Sequence, residues 1–134
     1  MKRSVLFICT HNSARSQMAE GLLNHFHGER FKGYSAGTEA THVNPCAIRA
    51  LADIGIDIRG YTSKSIQQFQ GEAFDIVVTV CDNARESCPF FPGKAVIHKS
   101  FRDPSRSSGG DEKMLQAFRE VRDEIRAWID EEFR

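Results

Sequence analysis

The sequence predicts an α/β domain: an open four-stranded parallel sheet with helices on both faces. Three observations predict it. Short apolar runs rich in β-branched residues alternate with amphipathic helical patterns along the chain. The two strongest runs are continuous rather than alternating, as expected of strands covered on both faces. The composition, 40% hydrophobic and 27% charged over 134 residues, is that of an ordinary globular domain of usual size, so residues 1–134 are expected to form one domain.

Taken in order, Ser4 to Cys9 reads as the first central strand. Ala19, Leu22, Leu23 and Phe26 then fall on one stripe after Ser16 and predict the first helix. Phe31 to Ser35 is a shorter extended stretch. Asn44 followed by Pro45 reads as a helix cap and first-turn proline, and Ala47, Ile48, Leu51 and Ile54 form the stripe behind it. Asp75 to Cys81 is the second central strand and Ala95 to His98 a further extended stretch. Arg102 to Gly110, with its serines and glycines, reads as a flexible loop. The last helix carries Met114, Phe118, Val121, Ile125 and Trp128 at spacings of three and four, with Asp111 expected as its cap; the stripe assigns Trp128 to the core. Right-handed crossovers limit the topologies, and ligands in such sheets bind outside the carboxyl ends of the strands. Cys9 and Cys81 end the two central strands and so belong to that edge.

Eighteen basic residues cancel eighteen acidic ones, which leaves no global field to draw the chain onto nucleic acid or an anionic membrane. Any anion site must be local. The apolar run Val5 to Cys9 is far too short for a signal peptide's core or a membrane span, so the expected location is the cytoplasm. Four cysteines in that reducing compartment are not a disulfide framework, and their positions need a chemical or packing reason.

Directly after the first strand comes Cys9-Thr-His-Asn-Ser-Ala-Arg15-Ser16, a cysteine and an arginine with five residues between them, leading into a helix. Such a loop can wrap its backbone N–H groups around a tetrahedral oxyanion at the positive end of the helix dipole. Arg15 adds a planar fork able to take two oxygens of the anion, and Asn12 is the loop residue best suited to a left-handed backbone. The same dipole and guanidinium favour a thiolate at Cys9, and Ser16 could donate to its sulfur. The alternative is a buried strand-end cysteine beside an unrelated surface arginine; the placement between strand and helix favours the anion loop.

Cys81 and Cys88 are separated by six residues in a polar segment. Spacing alone leaves open a redox pair, two incidental thiols, or half of a metal site, although six residues exceed the usual spacing of a zinc knuckle.

The stretch VLFICTHNSARSQMAEG, residues 5–21, resembles the phosphate loop of low-molecular-weight tyrosine phosphatases, and more closely that of their arsenate reductase relatives. Tyr34-Ser-Ala-Gly37, Asn44-Pro45, Val77-Val-Thr-Val-Cys81, Asp103-Pro104 and Val121-Arg-Asp-Glu-Ile125 match the reductases in the same order, so the resemblance spans nearly the whole chain. It implies the low-molecular-weight tyrosine phosphatase fold and the reduction of arsenate to arsenite. By that resemblance Thr10, His11, Asn12, Ser13, Ala14, Arg15 and Ser16 bind the substrate. Cys9 attacks arsenate, Cys81 attacks Cys9 and expels arsenite, Cys88 captures Cys81, and thioredoxin reduces the resulting pair. Asp103, before Pro104, matches the family's general acid; read alone, it is a turn aspartate. His11 stands where many relatives have glycine, and Ala14 where many have a second loop cysteine.

The resemblance also implies weak phosphatase side activity. The competing readings are a tyrosine phosphatase that needs only Cys9, Arg15 and Asp103, a reductase coupled to glutaredoxin or mycoredoxin, and a sensor whose thiols signal without turnover. No cofactor is expected. Some relatives hold potassium at positions matching Asn12, Glu20, Ser35 and Lys64; the lysine replaces an acidic residue and implies no metal here. Cys46 lacks a partner thiol and reads as a bystander, and His25, His27, His42 and His98 lack ligand-like spacing.

Overall fold

The computed structural model describes residues 1–81 and 91–134. Strand β1 (Arg3–Cys9) leads into helix α1 (Arg15–Phe26), then β2 (Phe31–Gly37), α2 (Pro45–Ala52), β3 (Ile76–Thr79), β4 (Ala95–His98) and α3 (Asp111–Glu132). Two short 3-10 helices, Ile66–Phe69 and Pro104–Arg106, lie in the connections. All four strands are parallel, in the order β2-β1-β3-β4. The chain leaves β1 toward β2 on one side and returns to β3 on the other. The connections therefore part at the carboxyl ends of β1 and β3, where an open sheet forms its binding crevice.

Alternation along β1 divides the interior in two. Val5, Phe7 and Cys9 point into the larger core, which they share with Met18, Leu22 and Leu23 of α1, Leu51 of α2 and Phe118, Val121 and Ile125 of α3. Leu6 and Ile8 point the other way, onto Ala36, Val77 and an aromatic group of Phe69, Phe74 and Phe91 edged by Tyr34. The 3-10 helix Ile66–Phe69 covers that second face, so helical segments flank the sheet on both sides. Losing a fully buried side chain such as Leu22 to alanine costs about 2–5 kcal/mol.

Asp75 fastens the starts of the two central strands together. Its carboxylate accepts from the Ser4 backbone N–H at 2.8 Å, and its own N–H donates to Ser4 Oγ at 3.0 Å. The Ser4 N–H, and after it Lys94, holds the Asp75 carboxyl below its ordinary range.

Several local expectations need correction. Phe26 ends its stripe but is 36% exposed, because it lies at the last residue of α1; the Arg126 guanidinium covers its ring at 3.9 Å. Ile54 follows the end of α2 and packs on the core from the turn. Asp111 is the first residue of α3 rather than its cap: Gly110, with φ 95°, takes the cap position with no side-chain bond. The loop Arg102 to Gly110 contains a 3-10 turn that Asp103 caps. Asn44 caps α2 as expected, its side chain accepting from Cys46 N–H at 2.8 Å. Among the described residues, no helix is long and apolar enough to cross a membrane.

Candidate active site

A cavity of about 190 Å³ opens at the carboxyl end of β1. Its walls come from three stretches: Cys9, His11, Ser13, Ala14 and Arg15; then Thr41, His42 and Asn44; then Asp103 and Ser105. Sequence reasoning anticipated the first stretch and Asp103. It assigned His42 no role, and passed over Thr41 and Ser105.

The loop 10–14 is anchored by its carbonyls. Thr10 O accepts from Glu39 N–H at 2.9 Å, Asn12 O from Gln17 Nε2 at 3.1 Å and Ser13 O from Asn44 N–H at 2.9 Å. Ser63 Oγ holds His11 O at 2.9 Å. In a trans peptide the N–H points opposite to the carbonyl. The groups opposite the Thr10, Asn12 and Ser13 carbonyls are the N–H groups of His11, Ser13 and Ala14, and these three residues line the cavity. Thr10, Asn12 and Ser16 do not line it; they build the loop from behind.

Helix α1 completes the anion site through what its first turn lacks. Its N-cap is Ala14, whose side chain makes no cap bond, and no acidic residue lies in its first turn, so among the described residues none of the helix's own side chains takes the positive end of the dipole. Gly37 permits β2 to run beneath the loop. A Cβ at Gly37 would lie 2.5 Å from Thr10 O and 2.7 Å from Asn12 N.

Behind the cavity, a hydrogen-bond chain ends on the sulfur of Cys9. Lys64 N–H, which can only donate, meets Asn12 Oδ1 at 2.7 Å and so fixes the orientation of the Asn12 amide. Asn12 Nδ2 therefore donates to Ser16 Oγ at 2.8 Å, and Ser16 Oγ lies 2.8 Å from Cys9 Sγ. A thiolate cannot donate, so in that state the Ser16 hydroxyl supplies the proton of this last bond. Asn12 has φ 49°, the only positive value outside glycine among the described residues.

Arg15 is 4% exposed. Its Nη1 donates to Phe101 O at 3.2 Å, which ties the start of α1 to the chain beyond β4, and its Nη2 lies 3.8 Å from Asp103 Oδ2. The other carboxylate oxygen of Asp103 accepts from Ser105 N–H at 2.9 Å and from the Ser105 hydroxyl at 2.6 Å.

Cys81 is fully buried, two residues beyond β3, and is disulfide-bonded; Cys9 and Cys46 are free thiols. Strands β1 and β3 are neighbours, with Ile8 in register with Thr79 and Val80 N–H donating to Ile8 O, so Cys9 and Cys81 follow adjacent strand ends and join one core. Cys88 lies outside the described residues.

The four positions matched to a cation site in some relatives are linked by hydrogen bonds and an ion pair: Lys64 N–H meets Asn12 Oδ1, and the Lys64 ammonium faces Glu20, which Ser35 also contacts. Ser35 Oγ donates to Glu20 Oε1 at 2.5 Å, and Lys64 Nζ lies 3.8 Å from the same oxygen while donating to Thr62 O at 2.8 Å. Burial pushes the Glu20 carboxyl up, against the opposing pull of Ser35 and Lys64.

Among known proteins, an arsenate reductase of Halalkalibacterium halodurans is 46% identical over 125 residues, covering 92% of this chain and 90% of the relative. A solved structure described as an arsenate reductase in the phosphate binding state superposes with a TM-score of 0.82 at 30% identity, covering 96% of this chain and 95% of that one. A thioredoxin-dependent arsenate reductase of Corynebacterium glutamicum gives a TM-score of 0.69 at 29% identity over 97% of this chain and 61% of its own. The family model described as low molecular weight phosphotyrosine protein phosphatase matches residues 4–131. With an anion loop of this geometry at the head of such a sheet, the chain belongs to that family.

Proposed function

We propose that the chain is an arsenate reductase working through a three-thiol relay. The observation that carries this reading is the succession of Cys9 and Cys81 at the ends of adjacent parallel strands, with the oxyanion cavity at the first of them. A phosphatase that hydrolyses a cysteinyl phosphate needs only the first thiol. Collecting electrons requires a second and a third.

In the proposed sequence, the Cys9 thiolate attacks the arsenic of arsenate, held by the loop N–H groups and Arg15. A sulfur–arsenic bond forms and one oxygen leaves as water, protonated by Asp103. Cys81 thiolate then attacks the sulfur of Cys9. The electron pair of the sulfur–arsenic bond passes to arsenic, which leaves as arsenite, two electrons richer. Cys88 thiolate attacks Cys81, frees Cys9 and closes a Cys81–Cys88 disulfide. A protein dithiol of the thioredoxin class returns two electrons and two protons, a coupling supported by the thioredoxin-dependent structural neighbour. A thioredoxin-class reductant would suit the reducing cytoplasm, the location this proposal includes.

The cavity walls favour a small oxyanion over a tyrosyl phosphate. Among the described residues, the cavity is lined by small and polar side chains and by His11 and His42, with no Phe, Tyr or Trp. Phosphate shares the charge and shape of arsenate, and slow aryl phosphate hydrolysis is expected as a side activity.

The test is arsenate-dependent NADPH oxidation coupled through thioredoxin and thioredoxin reductase, for the native chain, Cys81→Ser and Cys88→Ser. Sustained turnover in the native chain, abolished in both variants, is the expected result. Continued multiple turnover by Cys88→Ser would sink the relay. Absence of arsenate-dependent oxidation, with rapid release of phosphate from an aryl phosphate, would reassign the chain to phosphatase chemistry.

A further inference from the structure

Gln17 is the third residue of α1 and has 0% exposure, yet no step of the proposed reaction uses it. Its Nε2 has three acceptors: Asn12 O at 3.1 Å, Asn12 Oδ1 at 2.8 Å and Thr62 O at 2.9 Å. Two of these are backbone carbonyls, which only accept, so the nitrogen end of the amide must lie there. Its Oε1 is buried and has no hydrogen-bond partner among the described residues. A glutamine at this helical position ordinarily reaches back to accept an N–H at the cap. Here it does the reverse and donates into the anion loop.

What Gln17 grips is the one strained residue of that loop. Asn12 holds a left-handed backbone, which an L-residue adopts only at a cost, and Gln17 takes both its main-chain and its side-chain oxygen. One contact sets the peptide that aims the Ser13 N–H into the cavity. The other sets the amide that passes through Ser16 to the Cys9 sulfur. The third bond, to Thr62 O, fixes both to the segment whose Lys64 N–H and Ser63 hydroxyl also hold the loop.

We infer that Gln17 is a positioning residue, whose amide sets the anion loop and the Cys9 thiolate bond together by holding Asn12. This rests on the reading of residues 9–15 as the oxyanion site. Its action is indirect and should vanish where Asn12 is already lost.

The experiment uses inorganic phosphate as probe, titrated calorimetrically into the native chain, Gln17→Met, Asn12→Ala and the double variant. Iodoacetamide labelling of Cys9 is followed by mass spectrometry in the same samples, with Cys46 as internal reference. Gln17→Met is expected to weaken phosphate binding about tenfold and to slow Cys9 labelling, leaving Cys46 unchanged. The double variant is expected to be no worse than Asn12→Ala. Native phosphate affinity in Gln17→Met, fully additive effects, or Cys46 labelling that accelerates in step with the loss would each overturn the inference.

Should Gln17→Met not fold, the side-chain amide protons of Gln17 can be followed by NMR in the native protein. Exchange that slows at saturating phosphate is expected; exchange indifferent to phosphate would overturn the inference. A native chain that does not bind phosphate would remove the loop reading itself, and this inference with it. Native binding that Gln17→Met leaves intact would remove the inference alone.

Discussion

Lys64 reaches Asn12 through its backbone and Glu20 through its side chain, N–H to Oδ1 at 2.7 Å and Nζ to Oε1 at 3.8 Å, so one residue meets both the anion loop and helix α1. The Glu20 carboxyl pays for its burial with a raised pKa. A carboxyl raised in the folded state contributes stability that is complete below its unfolded value, about 4.3, and is lost as pH rises through the folded value. Glu20→Gln removes that loss and keeps an acceptor for Ser35. Thermal unfolding should show the variant at least as stable as the native chain at neutral pH, with a flatter rise in stability on acidification. A variant markedly less stable at pH 7 would show that the Lys64 pair outweighs desolvation.

The Lys64 ammonium supplies a positive charge beside Glu20, 3.8 Å from its Oε1, and the expectation is that no monovalent cation is needed there. Replacing sodium by potassium at constant ionic strength should change kcat/KM by less than about twofold, since only general screening is left to act. Strong activation by potassium would contradict this arrangement.

Gly37→Ala tests how closely β2 runs beneath the loop. The added methyl would sit 2.5 Å from Thr10 O, a backbone atom that cannot rotate away. The loop must move, and phosphate affinity should fall by about tenfold or more, while the remote core keeps most of its stability. Calorimetry beside urea unfolding separates the two effects.

Asp103→Asn preserves shape and the capacity to accept from Ser105 but cannot deliver a proton. A fall of about 10²- to 10⁴-fold in the single-turnover rate of arsenate consumption is expected, with phosphate affinity nearly unchanged. An unaltered rate would return Asp103 to being the cap of a short turn.

The contrast between Arg15 and Gln17 shows what could be read from the chain. Arg15 was legible because strand, loop and helix are local patterns, and its distance from Cys9 in sequence is nearly its distance in function. The continuous apolar run of β1 and the stripes of α1 and α3 were legible for the same reason, whereas the division of β1 between two cores was not. The partners of Arg15 and Asn12 were not: Phe101 O and Lys64 N–H are backbone atoms, carry no residue signature, and arrive from 86 and 52 positions away. Gln17 drew no reading from the sequence, because nothing local tells which end of its amide points inward. Phe26 failed differently: its place in the stripe is right, but the helix ends there and the core has curved away.

The cavity draws its walls from three separated stretches, and Arg15 joins the first to the last through Asp103. An oxyanion lodged among them therefore acts as a keystone, and the choice of buffer becomes part of the protein's biology at the bench. Phosphate at one hundred times its dissociation constant would add about 2.7 kcal/mol to the folded state. The same occupancy would exclude arsenate, so a preparation made durable by phosphate would also be silenced by it until the buffer is exchanged.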